Sequence, residues 1–265
     1  ASDVYKRQDL GKIVMRGDNP VVDTAQANAE APAIPIHAFL ADTPVGKILF
    51  DTGCHPKAME GAWPPEMCTN PYVAGSEAGL LARLAQIDVR PEDIFIVVAS
   101  HLHLDHSGGL HLFPQAKVYV QQWELERVLH DADAGTLDVF HLPCDVENWK
   151  AAGIQWEPVP DSVREVELCP GVTVLNLGPG HSYGMLGMYV ETQESRFLLA
   201  SDAVYSREYY GPPAKLSGAV CDEPGYFAAI EYIRDYAAQH DALVLFGHDM
   251  EQFQSLRKSG EGAYQ

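Results

Sequence analysis

Short apolar runs recur along the chain and are separated by turn-forming residues, a pattern typical of β-strands. Residues 34–40 and 47–50 flank a turn at residues 42–46 that contains Pro and Gly, and this arrangement predicts a β-hairpin. The continuous, β-branched run at residues 94–99 favours a strand that is covered on both faces. Further strands are predicted at residues 10–16, 117–120, 163–168, 172–177, 185–191, 196–200 and 242–246. The strands therefore come in hairpin-rich groups in two halves of the chain.

Segments with apolar residues at helical spacing separate these groups of strands. Ser76 suits the N-cap of a helix that has Leu80 and Leu84 on its apolar face. Helices are also predicted at residues 122–130 and 226–239. These apolar faces are expected to contribute to the core and do not indicate a function.

Several segments lack a clear period. Residues 1–9 are polar and resemble a translated adapter sequence, so a non-native or disordered tail is predicted there. Residues 18–33 are predicted to form a loop that is a candidate wall of a substrate pocket, and the prolines of residues 55–74 exclude a regular helix. Trp63 in that second loop suits either a packed surface loop or a grip on an apolar substrate. Residues 10–265 are predicted to form a single domain.

Composition limits the classes of partner. With 265 residues, 46% of them hydrophobic, the chain is long enough for one large core. A net charge of −19 opposes binding to a phosphate backbone, so no nucleic-acid partner is expected. No apolar stretch is long enough to cross a bilayer, so no membrane partner is expected. The five cysteines contain no CxxC pair and favour reduced thiols in the cytoplasm, although one disulfide is compatible with their spacing. Nothing marks an interface, and a monomer or a homodimer is expected.

The chemistry concentrates in the segment SHLHLDHSGG at residues 100–109, directly after the strand at 94–99. His101 and His103 point to the same side of an extended backbone, and Asp105 and His106 follow where the chain turns. Imidazoles and a carboxylate are ligands that zinc and its first-row neighbours accept. The segment therefore predicts a metal site.

Three more candidate ligands, His181, Asp202 and His248, each end an apolar, strand-like run further along the chain. Seven ligands exceed the needs of one four-coordinate ion and suit two ions that share a bridging carboxylate. The remaining histidines are interpreted as core or surface residues rather than ligands: His37, His55, His111, His130, His141 and His240. Asp51 also follows an apolar run, and it is a candidate partner of the metal histidines or an ordinary turn residue.

The HxHxDH string, followed by the isolated His181, Asp202 and His248, resembles the metallo-β-lactamase superfamily over nearly the whole chain. The resemblance implies an α+β fold, a four-layer αββα sandwich with the metal site in a cleft along one edge. It implies that two divalent ions, most often zinc, are bound, with cobalt, manganese or iron as alternatives. One ion would be held by His101, His103 and His181, and the other by Asp105, His106 and His248, with Asp202 bridging them.

Tyr205, three residues after Asp202, resembles the tyrosine of the N-acyl-homoserine lactonases within this superfamily, although a partly buried aromatic near Tyr209 is the alternative. This second resemblance implies a quorum-quenching hydrolase that opens a lactone ring by attack of a hydroxide shared by the two metals. Tyr205 would donate to the oxyanion and Asp105 would pass a proton to the leaving alkoxide. A small molecule is therefore the expected substrate.

Other functions remain as alternatives. A dinuclear hydrolase could act on another lactone, a thioester as in glyoxalase II, or a phosphotriester. Glyoxalase II is disfavoured because no basic C-terminal helical region is evident to hold an anionic thiol conjugate. A non-catalytic metal-dependent module would be expected to lose ligands, and a redox member would need a flavin partner, for which this chain shows no Gly-rich stretch.

Overall fold

Two β-sheets packed face to face form the centre of the fold. The structure is a computed structural model, and it describes residues 4–15, 33–74, 79–258 and 261–264. The strands are β1 (Val4–Val14), β2 (Ala33–Thr43), β3 (Gly46–Phe50), β4 (Tyr72–Val73), β5 (Ile94–Val98), β6 (Lys117–Gln121), β7 (Gln155–Val159), β8 (Glu165–Cys169), β9 (Val172–Gly178), β10 (Met185–Glu191), β11 (Arg196–Ser201) and β12 (Leu243–Phe246). The first sheet has the order β4-β1-β2-β3-β5-β6-β7, and the second has the order β12-β11-β10-β9-β8.

Helices cover the outer faces of both sheets. They are α1 (Leu80–Ala85), α2 (Gln122–Ala134), α3 (Pro143–Ala152), α4 (Arg207–Tyr210), α5 (Glu223–His240) and α6 (Met250–Ser255). Gln121 caps α2 by accepting a hydrogen bond from the backbone N–H of Glu124 at 3.1 Å, and Asp222 caps α5 through the N–H of Gly225 at 2.8 Å. Within the described residues, no helix is long and apolar enough to cross a membrane.

Three apolar layers hold the four structural layers together. Phe50 and Val98 of the first sheet pack against Met188 and Leu199 of the second in the central layer. Side chains of α1, α2 and α3 bury the outer face of the first sheet. The apolar face of α5, which includes Ile230, covers the second sheet. This arrangement is the predicted αββα sandwich, and the hydrophobic effect of burying both faces of each sheet stabilises it.

The first strand is longer than predicted. β1 begins at Val4 and pairs with β2 in an antiparallel register from Val4 opposite Asp42, so residues 4–9 of the predicted tail belong to the sheet. The sequence pattern hides this strand because Arg7 and Gln8 are polar yet fully buried. The Arg7 guanidinium lies 4.2 Å from the centre of the Phe253 ring and donates to the Leu256 carbonyl at 2.8 Å. The division into a tail and a single domain stays a prediction.

The structure confirms some of the other predictions and differs from others. The predicted hairpin is confirmed as β2 and β3. The proline-rich segment contains two short 3-10 turns, Ala58–Glu60 and Met67–Thr69, and the two-residue strand β4, but no α-helix in its described residues. Trp63 is buried in the core rather than facing a substrate. β7 and α3 were not predicted: Pro158 interrupts the pattern of β7, and Pro143 is the first residue of α3. The predicted N-cap at Ser76 and residues 18–32 of the predicted loop lie outside the described residues.

Candidate metal centre

All seven predicted ligands converge at one edge of the sandwich. They follow the C-terminal ends of strands from both sheets: β5 precedes His101, β9 precedes His181, β11 precedes Asp202 and β12 precedes His248. The structure forms three groups whose potential ligand atoms lie within 4.8 Å of one another: His101 with His103 and His181, His101 with His106 and Asp202, and Asp105 with His106 and His248. The six other histidines belong to none of these groups in the described part of the chain.

Asp202 lies between the two sets of ligands. Its Oδ1 is 3.4 Å from His106 Nε2, and its Oδ2 is 3.4 Å from His181 Nε2 and 3.0 Å from His248 Nε2. Oδ1 therefore faces the second set of ligands and Oδ2 faces both sets, so the carboxylate contacts both halves of the centre, as a bridging ligand requires. Asp105 completes the second set, with Oδ2 3.6 Å from His106 Nε2 and 3.5 Å from His248 Nε2.

Hydrogen bonds orient four of the histidine rings. The Nδ1 atoms of these rings lie 2.9 Å from Ser100 Oγ (His101), 2.9 Å from Asp51 Oδ2 (His106), 2.6 Å from the Ala219 carbonyl (His181) and 3.0 Å from the Pro35 carbonyl (His248). A carbonyl or carboxylate oxygen only accepts, so Nδ1 of His106, His181 and His248 carries the proton and the Nε2 lone pair faces the centre. The Ser100 hydroxyl gives its proton to Asp51, so it accepts from His101 Nδ1 in the same way. His103 presents its Nδ1 instead, 3.0 Å from His181 Nε2.

Asp51 is confirmed as a partner of a candidate metal histidine. Its buried carboxylate accepts from the Ser100 N–H at 2.8 Å and the Ser100 hydroxyl at 2.9 Å, besides contacting His106. Ser201 donates to Ser100 Oγ at 2.9 Å, which links the loops after β3, β5 and β11. Asp51 and Ser201 have φ values of 60° and 47°, in the left-handed region that ordinary side chains rarely adopt and that strained functional sites often contain.

The residues present suit two cations. Three buried atoms of the candidate ligands have no hydrogen-bond partner among the described residues, namely His101 Nε2, His106 Nε2 and Asp202 Oδ1, and all three face the centre. Burial lowers the pKa of His101 and of His103, so both are neutral imidazoles near pH 7, the form that binds metal. Burial also lowers the pKa of His106, but the adjacent carboxylates of Asp202, Asp105 and Asp51 raise it overall, because this closed site concentrates negative charge.

Tyr205 lies over the centre rather than only among neighbouring tyrosines. Its ring centroid is 5.2 Å from that of His181 and 5.1 Å from that of His248, and its ring is buried. It also contacts Tyr209, with ring centroids 6.3 Å apart. Burial and the nearby Asp202 carboxylate raise the pKa of Tyr205 well above its ordinary value, so its hydroxyl remains a hydrogen-bond donor at neutral pH.

Sequence reasoning missed the residues that surround the ligand loops. Glu124, in the first turn of α2, is fully buried and contacts His141, which in turn packs against His103 with ring centroids 4.8 Å apart. Burial lowers the pKa of His141, but its hydrogen bonds to Asp138 and Glu124 raise it to about 9. No sequence signal separates Glu124 from the exposed acidic residues that commonly occupy a first helical turn.

A cavity of about 230 Å³ opens beside the ligands and is lined by His103, Phe140, His181, Tyr183, Ala219 and Cys221, among others. Its walls combine aromatic and small apolar groups with two candidate ligands. The cavity is therefore suited to a small organic molecule whose reacting group lies at the metal centre.

The fold and this centre define a class of protein. The chain matches the metallo-beta-lactamase superfamily over residues 31–248, and it belongs to that superfamily. Members of the superfamily bind divalent metals through His and Asp clusters such as this one.

Individual proteins that the chain is similar to belong to a narrower group within this superfamily. The chain is 39% identical to the N-acyl homoserine lactonase AiiB of Rhizobium rhizogenes, over 97% of both chains. It is 27% identical to an N-acyl homoserine lactonase of Bacillus thuringiensis, over 91% of both. A solved N-acyl homoserine lactone hydrolase with N-hexanoyl-L-homoserine at its catalytic metal centre superposes with a TM-score of 0.80 at 24% identity, covering 97% of this chain and 98% of that one. That likeness confirms the fold.

Proposed function

We propose that this protein is a metal-dependent lactonase that opens the ring of N-acyl homoserine lactones to the hydroxy acid, and so degrades a quorum signal. The observation that carries the proposal is a complete set of His and Asp ligands with Tyr205 packed over it. The 39% identity to the lactonase AiiB of Rhizobium rhizogenes, which extends over 97% of both chains, supports the substrate class. The cavity beside His103 and His181 gives the acyl amide a place to bind.

We assign one metal to His101, His103 and His181, and a second to Asp105, His106 and His248, with Asp202 between them. When bound, two divalent ions supply Lewis acidity to the lactone carbonyl and lower the pKa of a water molecule toward neutrality. Zinc is the metal we propose, because imidazole and carboxylate ligands suit it. This assignment is supported by the buried ligand atoms that lack a hydrogen-bond partner in the described residues.

Asp105 is the proton carrier in this proposal. It is the most exposed of the candidate ligands, with its side chain 12% exposed, so a bound substrate can reach it. Water adds to the carbonyl carbon, the ring C–O bond breaks, and the departing oxygen becomes an alkoxide. Asp105 accepts the proton that the water loses and returns it to that oxygen, which balances the reaction.

Tyr205 stabilises the charge that develops on the carbonyl oxygen. Its hydroxyl stays protonated because burial and Asp202 raise its pKa, so it donates a hydrogen bond as the oxyanion forms. The rings of His181 and His248 hold the phenol in place and limit its rotation. This preorganised donor requires no rearrangement when the charge appears.

We also propose a cellular location and an oligomeric state for the protein. All five cysteines are free thiols, which supports a cytoplasmic location. A monomer or a homodimer is proposed, and light scattering of the purified protein distinguishes the two.

Ring opening followed by HPLC tests the function directly. Purified protein is incubated with a short and a long N-acyl homoserine lactone, with and without added zinc or cobalt. Metal-dependent appearance of the acyl homoserine is the expected result. If the protein holds two metals but opens neither lactone, the substrate is wrong, and other lactones, thioesters and phosphotriesters are tested in its place.

A further inference from the structure

Glu124 is a buried carboxylate without a Lys or Arg partner among the described residues, and it lies beside the metal centre. Its Oε1 accepts from the Leu102 N–H at 2.7 Å and contacts His141 Nε2 at 3.3 Å. Its Oε2 accepts from the Gly184 N–H at 3.0 Å, and the Ser182 hydroxyl lies 2.9 and 2.8 Å from the two oxygens. A buried charge is costly unless it is hydrogen-bonded, and here donors from three segments satisfy it.

The backbone and hydroxyl donors, unlike His141, belong to the two loops that carry one half of the centre. Leu102 lies between the candidate ligands His101 and His103, and Ser182 directly follows His181. The carboxylate therefore bridges a loop after β5 in the first sheet and a loop after β9 in the second. The facing nitrogens of the two loops, His103 Nδ1 and His181 Nε2, are 3.0 Å apart.

The local structure leaves Glu124 little freedom to move. Gln121, the last residue of β6, caps α2 through the Glu124 N–H at 3.1 Å, so the first helical turn is fixed to the sheet. Gly184 packs so closely that a Cβ atom there would lie 2.2 Å from the Gln121 side chain. The separation of the two loops is therefore set by a fixed element and not by the ligands alone.

We propose that the buried carboxylate of Glu124 holds the loops around His103 and His181 at a fixed separation and thereby sets the metal affinity of that half of the centre. This inference rests on the proposed function, because it takes these histidines to be metal ligands. Glu124 touches no ligand ring nitrogen and acts through backbone and hydroxyl donors, so it is a positioning residue. In the other half of the centre, His106 and His248 are held by Asp51 and the Pro35 carbonyl rather than by Glu124.

Glu124→Gln tests the inference with almost no change in side-chain volume. A carboxamide has one acceptor oxygen, so its NH2 group must face either the Leu102 N–H or the Gly184 N–H. One of the two loops therefore loses its backbone hydrogen bond to residue 124. The matched control is Glu126→Gln, on the same helix, where the side chain is exposed and accepts from Gln122 Nε2 at 2.6 Å.

Metal binding is the readout, by chelator competition and elemental analysis of the zinc-loaded proteins. His103→Asn and His248→Asn provide reference profiles for losing one half or the other. We expect Glu124→Gln to lower the affinity for one zinc ion about 10- to 100-fold, in the half of the centre that His103→Asn also weakens. The affinity for the second zinc ion should not change, and Glu126→Gln should bind both ions like the wild-type protein. Ser182→Ala removes one donor and keeps the Glu124 carboxylate, and it is expected to lower the affinity for the same zinc ion roughly tenfold. It replaces Glu124→Gln as the test variant if Glu124→Gln does not fold.

Two results would overturn the inference. Wild-type affinity for both ions in Glu124→Gln and Ser182→Ala would show that the carboxylate does not determine metal affinity. Equal weakening of both ions, together with a lower unfolding temperature of the metal-free protein, would show that Glu124 only supports the fold. A wild-type protein that binds fewer than two ions contradicts the proposed function itself, and this is seen before any variant is compared.

Discussion

Replacing Asp51 by Asn changes the support of His106 while leaving the ligands intact. The Asp51 carboxylate is buried and accepts on both oxygens, from the Ser100 N–H at 2.8 Å and from His106 Nδ1 at 2.9 Å. Because a carboxylate has no proton to give, it holds the His106 proton on Nδ1 and leaves Nε2 for the metal. An Asn side chain also tolerates the left-handed φ of 60° at this position, so the backbone is preserved.

The expected loss of metal affinity in Asp51→Asn follows from the two orientations that the new side-chain amide can adopt. If its oxygen faces His106, its NH2 group opposes the Ser100 N–H, and a buried donor loses its acceptor at a cost of about 1–3 kcal/mol. If its oxygen faces Ser100, its NH2 group donates to His106 Nδ1, which moves the proton to Nε2 and blocks the metal. Since 1.4 kcal/mol corresponds to a tenfold change, metal affinity at the site containing His106 should fall about 10- to 100-fold.

Zinc affinity measured by competition with a chromogenic chelator checks this prediction. Asp42→Asn is the control, because it makes the same substitution near the end of β2, where the half-exposed Asp42 pairs with Lys47 away from the metal centre. The variant should lose one zinc at a chelator concentration at which the control and the wild-type protein keep two. Retention of both ions by Asp51→Asn would refute the view that Asp51 fixes the ring of His106.

Two further predictions test Tyr205 and a buried acid outside the centre. Tyr205→Phe should keep both metals but lower kcat about 100- to 1,000-fold through loss of the oxyanion donor. Tyr232→Phe, at a half-buried tyrosine of α5 whose hydroxyl donates to Glu165, should leave kcat unchanged. An unchanged kcat in Tyr205→Phe removes Tyr205 from the mechanism. Burial raises the pKa of Asp145 to about 7, so the stability it contributes while protonated is present below about pH 4 and is lost as pH rises through 7. Asp145→Asn should therefore be more stable than wild type at pH 8 by about 1–4 kcal/mol in urea unfolding, and an equal free energy of unfolding at pH 8 would contradict this.

The convergence of the candidate ligands could be predicted from the sequence because their positions obey simple rules. Each one follows an apolar run, and the ends of buried strands meet at one edge of the sheets, so strand ends alone bring His181, Asp202 and His248 near the HxHxDH segment. Asp51 was found by the same reasoning. The hairpins and the apolar face of α5 were also predictable, because their periodicity is undisturbed by proline.

Other features depend on tertiary contacts that no local pattern encodes. Arg7 and Gln8 look like a polar tail, yet they lie buried in β1 because Phe253 and the Leu256 carbonyl receive the guanidinium. Glu124 looks like an ordinary exposed acid of a helix start, yet donors from two distant loops surround it. Residues whose partners come from distant parts of the chain cannot be identified from spacing alone.

A zinc titration of the metal-free protein, with ring opening and bound zinc measured in the same samples, tests the central claim most directly. The two halves of the centre share Asp202, so the geometry predicts that full activity requires both ions. Hydrolysis of an N-acyl homoserine lactone should therefore rise with occupancy and level off at two zinc ions per chain. Activity that levels off at one ion, or that is independent of zinc, would contradict a dinuclear lactonase.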